Sequence, residues 1–386
     1  MNNKPLKILA FEPFYGGSHK HFIDDVIKHS EHDWKLMTLP ESLWRWRSRT
    51  SSIDFFFQLE ELKSQLNPDN FDLIFTTSLI NVAELKGFCS DLFNNKKTVC
   101  YYHENQLAYP IPQKGKQHID AALVNIKSAL AADELWFNSK HNLDSFTEKI
   151  SAFSTETPEP LSAKIPDHIK EKAIVMPLGI KAPPQSVLNL KIGHKKEIES
   201  PLHLVWAARW EYDKNFADFF KALLFLEHKN VDFRISVLGV SENFRPKEFD
   251  KCFKRFEDRI LNWGFAPSKE DYFNILATAD LFVSTAIHEF FGISVVEAAM
   301  CATPVLLPNR LAYVELFNPK ENPQFFYDGT AQDLEQKLYH FATNLIISRQ
   351  KFIQDGKLAK KIAMQYQQQK IIKLYDKQLT KLANGV

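Results

Sequence analysis

The chain has 386 residues, more than one ordinary hydrophobic core accommodates, and this length predicts two domains. Hydrophobic residues make up 45% and charged residues 25%, which is typical of globular proteins and excludes a disordered chain. The formal net charge of +1 excludes nucleic-acid binding by overall charge, so any such contact requires a local basic patch.

The cysteines and the apolar segments bear on the cellular compartment. The four cysteines have neither C-x-x-C spacing nor a histidine at zinc-finger distance, which predicts reduced core thiols. The apolar run from Ile8 to Phe11 is much shorter than the core of a signal peptide. No stretch approaches the roughly 18 apolar residues of a membrane span. We therefore expect a cytoplasmic protein without a membrane partner.

The first predicted strand, Leu6 to Phe11, leads into a Gly16-Gly17 turn and an amphipathic helix. Strand, glycine turn and helix are typical of the start of a Rossmann-like unit. No G-x-G-x-x-G follows, which argues against a dinucleotide. Two interpretations stay open for the turn: it lets a phosphate approach the backbone closely, or it is an ordinary tight turn.

A loop rich in tryptophan and arginine is predicted after the second strand, Trp34 to Leu39. It contains Trp44, Arg45, Trp46, Arg47 and Arg49. Arginines bind phosphates and tryptophans stack on extruded bases, so the loop is a candidate tRNA contact. Alternatively, it is a cationic loop that packs against its own acids, Glu41 and Asp54.

Polar residues follow two later strands of the same half. His103, Glu104 and Asn105 follow the predicted strand Val99 to Tyr102, and Asn138 follows Glu134 to Phe137. Open α/β sheets bind ligands at the carboxyl ends of parallel strands. A single histidine is more often structural, but a His-Glu-Asn-Gln run is not typical of a core. Alternating strands and helices predict a parallel, doubly wound sheet.

Residues 181–200 contain prolines and charges and are predicted to form a linker. A second sheet begins at Leu202 to Ala207, and the loop after this strand carries Arg209 and Lys214. These cations suit a diphosphate leaving group, although a surface loop of mixed charge is the alternative. Further strands are predicted at Phe233 to Leu238 and at Ile260 to Phe265. At the end of the second of these strands, backbone groups could form hydrogen bonds with the edge of a nucleobase.

Two glutamates, Glu289 and Glu297, enclose an apolar, glycine-containing loop and the start of a helix from Ser294. A helix start offers unpaired N–H groups and a positive dipole end, which favour a phosphate. The alternative is a solvated helix with two surface acids, but it does not explain the apolar loop. The helical tail, residues 351–386, contains eight lysines and two aspartates. Its excess charge of +6 indicates either a solvated face or an RNA contact.

The two glutamates resemble the E-x7-E signature of retaining glycosyltransferases with the GT-B fold. The resemblance implies an α/β protein with two Rossmann-like domains facing across a cleft. It also implies C-terminal helices that pack back toward the N-terminal domain. We assign residues 1–180 to an acceptor-side domain, 181–200 to the linker, 201–350 to a nucleotide-sugar domain and 351–386 to the tail.

Four segments of the N-terminal half, FEPFYGGSHK, LPESLWRWRSRTS, YYHENQLAYP and FNSKHNLDSF, resemble the tRNA-queuosine α-mannosyltransferase family. This resemblance implies transfer of mannose from GDP-mannose to queuosine in aspartate tRNA. A glycosyltransferase acting on a small-molecule, lipid or glycan acceptor is one alternative. A non-catalytic protein that binds nucleotide sugar or tRNA is another.

The family roles carry over to individual positions. Glu289 and His103 would be catalytic and contact the donor sugar. The acceptor tRNA would meet Glu104, Asn105, Asn138 and the tryptophan- and arginine-rich segment. The donor would be bound by Gly16, Gly17, Arg209, Lys214, Phe265, Gly292, Ile293, Ser294 and Glu297. No Asp-x-Asp occurs in the sequence, so we expect no metal and no cofactor.

Overall fold

The computed structural model describes residues 4–62, 67, 70–109, 119–156, 159–193, 200–240 and 245–385. The chain divides into two compact units. Unit 1 comprises Met1–Gly179 and Gln368–Val386, and unit 2 comprises Ile180–Gln367. Among the described residues, no helix combines the length and the apolar character that crossing a membrane requires.

Unit 1 contains a six-stranded parallel sheet in the order β2-β1-β3-β4-β5-β6. Its strands are β1 Lys7–Tyr15, β2 Asp33–Pro40, β3 Leu73–Thr77, β4 Lys97–Tyr102, β5 Glu134–Phe137 and β6 Ala173–Val175. Its helices up to β6 are α1 Gly17–His29, α2 Trp44–Glu61, α3 Val82–Phe88, α4 Ser90–Phe93, α5 Ile119–Ala131, α6 Lys140–Glu156 and α7 Ile165–Glu171. The inner strands β3 and β4 are buried except for Lys97 at the start of β4, as expected when helices cover both faces of a parallel sheet.

Unit 2 contains a second six-stranded parallel sheet in the order β12-β11-β10-β7-β8-β9. Its strands are β7 Leu202–Ala207, β8 Phe233–Leu238, β9 Ile260–Gly264, β10 Leu281–Val283, β11 Val305–Pro308 and β12 Phe326–Tyr327. Its helices are α8 Gln185–Gly193, α9 Phe216–His228, α10 Lys247–Arg255, α11 Lys269–Thr278, α12 Ile293–Met300, α13 Tyr313–Phe317, α14 Ala331–Thr343 and α15 Leu345–Ala363. The strand order reverses between β7 and β10. Open α/β sheets bind ligands at such a reversal.

The structure divides the predicted tail between the two units. Helix α15 stays in unit 2, where Gly356 lies so close to the Ala302 carbonyl that a Cβ atom would be 2.1 Å from its oxygen. The last helix, α16 Gln368–Ala383, belongs to unit 1. Its Tyr375 hydroxyl donates a hydrogen bond to the Pro177 carbonyl at 2.6 Å. Buried tertiary contacts, which composition does not reveal, therefore decide where each half of the tail packs.

Two other segments differ from their predicted form. Part of the predicted linker is helix α8, which packs against α11, whereas residues 194–199 lie outside the described residues. The tryptophan- and arginine-rich segment is not a loop but the first turns of α2. Serines face the core on this helix: Ser51 and Ser52 donate to the carbonyls of Leu79 and Asn81 at 3.1 and 2.9 Å. The buried side therefore combines serines with apolar residues such as Phe55, and hydrophobic periodicity alone does not reveal it.

Candidate active site

Lys214 and Glu289 meet at the strand-order reversal of unit 2. The two residues follow the neighbouring parallel strands β7 and β10, which end at the same edge of the sheet. The Lys214 Nζ atom lies 3.2 Å from Glu289 Oε2 and 3.1 Å from an oxygen of Asp213. It also donates a hydrogen bond to the His288 carbonyl at 2.9 Å. The structure thus brings together two of the residues predicted from the sequence.

These opposite charges stabilise each other's ionised form. Burial raises the pKa of Glu289, but the Lys214 ammonium, His288 and the Phe291 N–H together outweigh it, and the pKa ends below its usual value. For Lys214, burial lowers the pKa, while Glu289 and Asp213 raise it above the usual value. Both groups are charged at neutral pH. The Glu289 side chain is 25% exposed, so a ligand hydroxyl can reach its carboxylate.

Helix α12 begins at Ile293, four residues after Glu289, and its N-cap residue provides no capping side chain. Its N-cap, Gly292, has a φ of 104°, and an added Cβ would lie 2.8 Å from the Tyr313 ring. Glycine is therefore required at this position. The half-buried Ile293 and Ser294 follow, so their N–H groups belong to the first turn, where helices bind anions. Tyr313 lines the same small cavity as Lys214, Glu289 and Ser294, and the sequence interpretation missed it.

Glu297 and Arg209 each face an opposite charge. Glu297 is buried on α12, and its carboxylate pairs with the ammonium group of Lys269. Arg209 lies 3.3 Å from a Glu211 oxygen, and its side chain is 56% exposed. A diphosphate can therefore compete with Glu211 for Arg209 in solvent. The ribose role predicted for Glu297 requires the hydroxyls to share its carboxylate with Lys269.

An aromatic cavity of about 420 Å³ lies in unit 2. Phe265, 80% exposed, forms part of its rim, and the indoles of Trp210 and Trp263 line it with ring centroids 5.2 Å apart. The Arg245 guanidinium lies over the Trp210 ring at 5.5 Å. Flat apolar walls with one cation suit a nucleobase. The sequence interpretation named Phe265 but missed Trp210 and Arg245, although Trp210 directly follows Arg209.

In unit 1, the predicted glycine turn begins α1. Gly17 has a φ of 48°, a left-handed conformation that glycine adopts without strain. Gly16 is extended, and a Cβ atom there would lie 1.5 Å from a carboxylate oxygen of Glu41. The close approach at Gly16 is therefore to the Glu41 carboxylate. A donor phosphate at this position would have to displace that side chain.

His103 belongs to a cluster of four residues, three of them buried, that the site prediction did not combine. Its ring lies 4.3 Å from the ring of His19, between centroids. His19 Nδ1 is 3.4 Å from Glu12 Oε1, and His19 Nε2 is 3.5 Å from Glu104 Oε2. Glu12 ends the apolar part of β1, His19 lies on α1, and His103 and Glu104 follow β4. Glu12 and His19 occur in the FEPFYGGSHK segment, which could have indicated them.

The pKa values of the two histidines shift in opposite directions. Burial lowers the pKa of His19, but Glu12 and Glu104 together raise it from 6.5 to about 10. Burial and the neighbouring His19 charge both lower the pKa of His103 well below 6.5. At neutral pH, His19 is an imidazolium and His103 is a neutral imidazole.

Asn105 and Asn138 are buried, and hydrogen bonds within the fold occupy their amides. Asn138 Nδ2 donates to the His103 carbonyl at 2.7 Å, and Asn105 Nδ2 donates to Asn142 Oδ1 at 2.8 Å. Asn105 Oδ1 accepts from the Ala108 N–H at 2.7 Å. These contacts hold the loop after β4. They do not support the direct RNA contact predicted for the two asparagines.

The arginines of α2 divide into two groups. Arg47 is half-buried and binds Asp54 at 3.0 Å, and Arg49 binds Asp120 at 2.6 Å. Arg45 is exposed, and its guanidinium lies 5.3 Å from the centre of the Trp44 ring. The Trp46 side chain is also exposed, by 60%. The prediction of internal acidic partners is thus confirmed for Arg47 through Asp54. Arg45 and Trp46 remain available to another molecule.

Comparison with known proteins places these features in a family. Residues 7–180 match the family model of the tRNA-queuosine alpha-mannosyltransferase N-terminal region, and residues 191–359 match that of glycosyl transferases group 1. The tRNA-queuosine alpha-mannosyltransferase of Drosophila melanogaster is 36% identical over 340 residues, which cover 86% of either chain. The chain belongs to the tRNA-queuosine alpha-mannosyltransferase family. It is a glycosyltransferase, as the sequence resemblance predicts.

Solved structures agree with this assignment at the level of the fold. Sucrose-phosphate synthase from Thermosynechococcus elongatus has a TM-score of 0.69 at 12% identity, covering 98% of this chain and all of that one. HepE from Anabaena, in complex with UDP, has a TM-score of 0.65 at 16% identity, covering 99% and 100%. The predicted α/β GT-B fold is confirmed.

Proposed function

We propose that the protein transfers mannose from GDP-mannose to the cyclopentene diol of queuosine in tRNA, with retention of anomeric configuration. The observation that carries this proposal is the Lys214–Glu289 pair, 3.2 Å apart, at the uncapped start of α12. It places a cation, a partly exposed carboxylate and helix N–H groups within one small region. The family relationship supports mannose and queuosine tRNA. The choice of aspartate tRNA follows from the sequence resemblance.

Unit 2 binds the donor in this proposal. Arg209, Lys214 and the N–H groups of Gly292 to Ser294 stabilise the diphosphate as its negative charge develops. The guanine base occupies the aromatic cavity beside Phe265, and Glu297 binds the ribose hydroxyls. Glu289 accepts hydrogen bonds from the sugar. Because these cations and N–H groups face the phosphates, the reaction requires no metal.

The transfer step needs no protein nucleophile. The acceptor hydroxyl attacks the anomeric carbon on the face from which GDP departs, and the bond from that carbon to the phosphate oxygen breaks. The hydroxyl proton passes to the departing phosphate. Preorganised charge supplies most of the rate, and His103, neutral at pH 7, contacts the sugar.

The deciding experiment uses purified protein, labelled GDP-mannose and two tRNA pools, one containing queuosine and one lacking it. Label only in the queuosine pool supports donor, acceptor and activity together. GDP release without label in either pool would contradict the acceptor and favour a small-molecule, lipid or glycan acceptor. Without label or GDP release, the donor assignment fails.

Glu289→Ala tests the site within the same assay. We expect turnover to fall about 100-fold or more, because a transition-state contact is lost, while folding is retained. The exposed Glu321→Ala in the same unit is the matched control and should leave turnover unchanged. Unchanged turnover in Glu289→Ala would remove Glu289 from the proposed site.

A further inference from the structure

Glu12, His19, His103 and Glu104 form one cluster. The proposed contact of His103 with the sugar does not explain why two carboxylates and a second histidine lie beside it. Glu12 and His19 are buried, and Glu12 Oε2, His19 Nδ1 and His103 Nε2 form no hydrogen bond within the described part of the chain, so Glu12 and His19 interact through their charges at 3.4 Å. The other oxygen of Glu12 accepts from the Phe14 N–H at 2.9 Å, which fixes this carboxylate to its own strand. A buried carboxylate and a buried imidazolium are retained together only when each stabilises the other.

His19 lies between two carboxylates with nearly equal separations, 3.4 Å to Glu12 and 3.5 Å to Glu104. The edge of Phe14 faces its ring at 5.8 Å, and His103 packs on it. Glu12 and Glu104 are the charged groups that raise its pKa, and its charge in turn lowers the pKa of His103. The nearby Tyr15, Lys20 and Asp24 form a separate group with one another. One imidazolium therefore connects a fixed buried carboxylate to Glu104.

Glu104 differs from the other three residues because its side chain is 23% exposed, whereas they are buried. Within this cluster, it is the group that a solvent-borne hydroxyl can reach. Its position after β4 also puts it at the carboxyl edge of the sheet, where α/β proteins bind ligands.

We propose that His19, anchored by Glu12, is a positioning residue that holds the Glu104 carboxylate to accept a hydrogen bond from one hydroxyl of the acceptor diol. This inference rests on the proposed function and specifies how unit 1 recognises the acceptor. Glu104 orients the hydroxyl without taking its proton, which leaves with the phosphate. A carboxylate with a fixed direction selects one hydroxyl of the pair, because a hydrogen bond is directional.

A divalent cation is the competing occupant of the cluster. Ligand atoms of Glu12, His19 and His103 lie within 4.8 Å of one another. The two carboxylates favour a proton on His19, and a protonated imidazole has no lone pair for a metal. Elemental analysis of the purified protein separates the two: stoichiometric zinc or manganese at these residues would overturn the proposal.

The test measures kcat/KM for queuosine tRNA against pH in wild type, Glu12→Gln and the control His21→Gln, whose histidine is exposed on the same helix. The kcat/KM of wild type should stay constant from pH 7 to 9, because His19 keeps its proton. In Glu12→Gln, His19 loses one of its two carboxylates and releases its proton at lower pH. Its kcat/KM should therefore fall above the new pKa and level off at a loss of about tenfold, the loss expected when the Glu104 contact itself is removed.

An NMR titration of the His19 ring provides a second readout that does not need activity. The midpoint should be near pH 10 in wild type and in His21→Gln, and lower in Glu12→Gln. If Glu12→Gln does not fold, Glu104→Gln replaces it: its exposed side chain can change without a buried cavity, and the His19 midpoint should again fall. Its KM for queuosine tRNA should rise about tenfold with little change in kcat, as expected for a lost acceptor contact.

Two failures are distinguishable. Wild-type transfer with pH profiles that coincide in all variants would overturn the role of His19 and leave the proposed function intact. Absence of transfer by wild type to either tRNA pool would overturn the proposed function and this inference together.

Discussion

In unit 2, part of the charge of the site is open to solvent at the sheet edge, whereas in unit 1 most of it is enclosed by the fold. Lys214 and Glu289 form a pair that a ligand hydroxyl can reach, and Arg209 is more than half exposed. In unit 1, His19 and Glu12 are enclosed by the fold, and only Glu104 of that cluster is partly exposed. Both sites follow from parallel sheets that place polar loops at their carboxyl edges. Unit 2 can therefore exchange its internal partners for a ligand, whereas unit 1 holds its partners fixed.

The largest expected effect is that of Lys214→Met. The variant removes the cation between Glu289 and Asp213, so transfer should fall about 100- to 1000-fold, as when one preorganised donor is lost. Stability should also decrease at pH 7, because two carboxylates lose their counter-ion. Transfer assays and denaturant unfolding measure the two effects.

Lys221→Met, which removes an exposed lysine of α9, is the control. A transfer rate equal to that of wild type would show that the pair does not bind the donor.

The second prediction concerns how the stability of unit 1 depends on pH. The raised pKa of His19 means that its stabilisation is complete below pH 6.5 and is lost as pH rises toward about 10. Between pH 6.5 and about 10, this histidine should change the free energy of unfolding by about −1.4 kcal/mol per pH unit. His103 acts in the opposite direction: its lowered pKa makes folding less favourable as pH falls below 6.5. The histidine contribution should therefore be greatest near pH 6.5.

Denaturant unfolding of wild type and Glu12→Gln between pH 6 and 10 measures this contribution. Glu12→Gln lowers the pKa of His19, so the free energy of unfolding should depend less steeply on pH above pH 6.5 than in wild type. If unfolding free energy depends on pH in the same way in both proteins, Glu12 does not stabilise the protonated form of His19. Unit 1 would then no longer differ from unit 2 in holding its charged partners fixed.

Sequence reasoning predicted the parts of the molecule that depend on local patterns. Alternating strands and helices gave the two parallel sheets, and the loops after β7 and β10 gave Lys214 and Glu289. It did not combine Glu12, His19 and Glu104, because their contacts require β1, α1 and the loop after β4 to pack together. The same limit applies to Asn105 and Asn138, whose buried amides resembled ligand contacts. Arg245 and Tyr313 were missed because only the folded chain places them in the cavities.

The smallest effect is expected on the surface of α2 and concerns tRNA affinity. Arg45 has no acidic partner in the described residues, whereas Asp54 neutralises Arg47. Arg45→Ala should weaken tRNA binding a few-fold and reduce the slope of log affinity against log salt by about one, because one phosphate contact is lost.

Arg47→Ala is the matched control: it should lower stability more than affinity, since it breaks the contact with Asp54. Equal losses of affinity in both variants would mean that the whole arginine segment contacts RNA and that Asp54 releases Arg47 on binding. If neither variant loses affinity, α2 lies outside the tRNA interface, and the exposed lysines of α16 become the next surface to test.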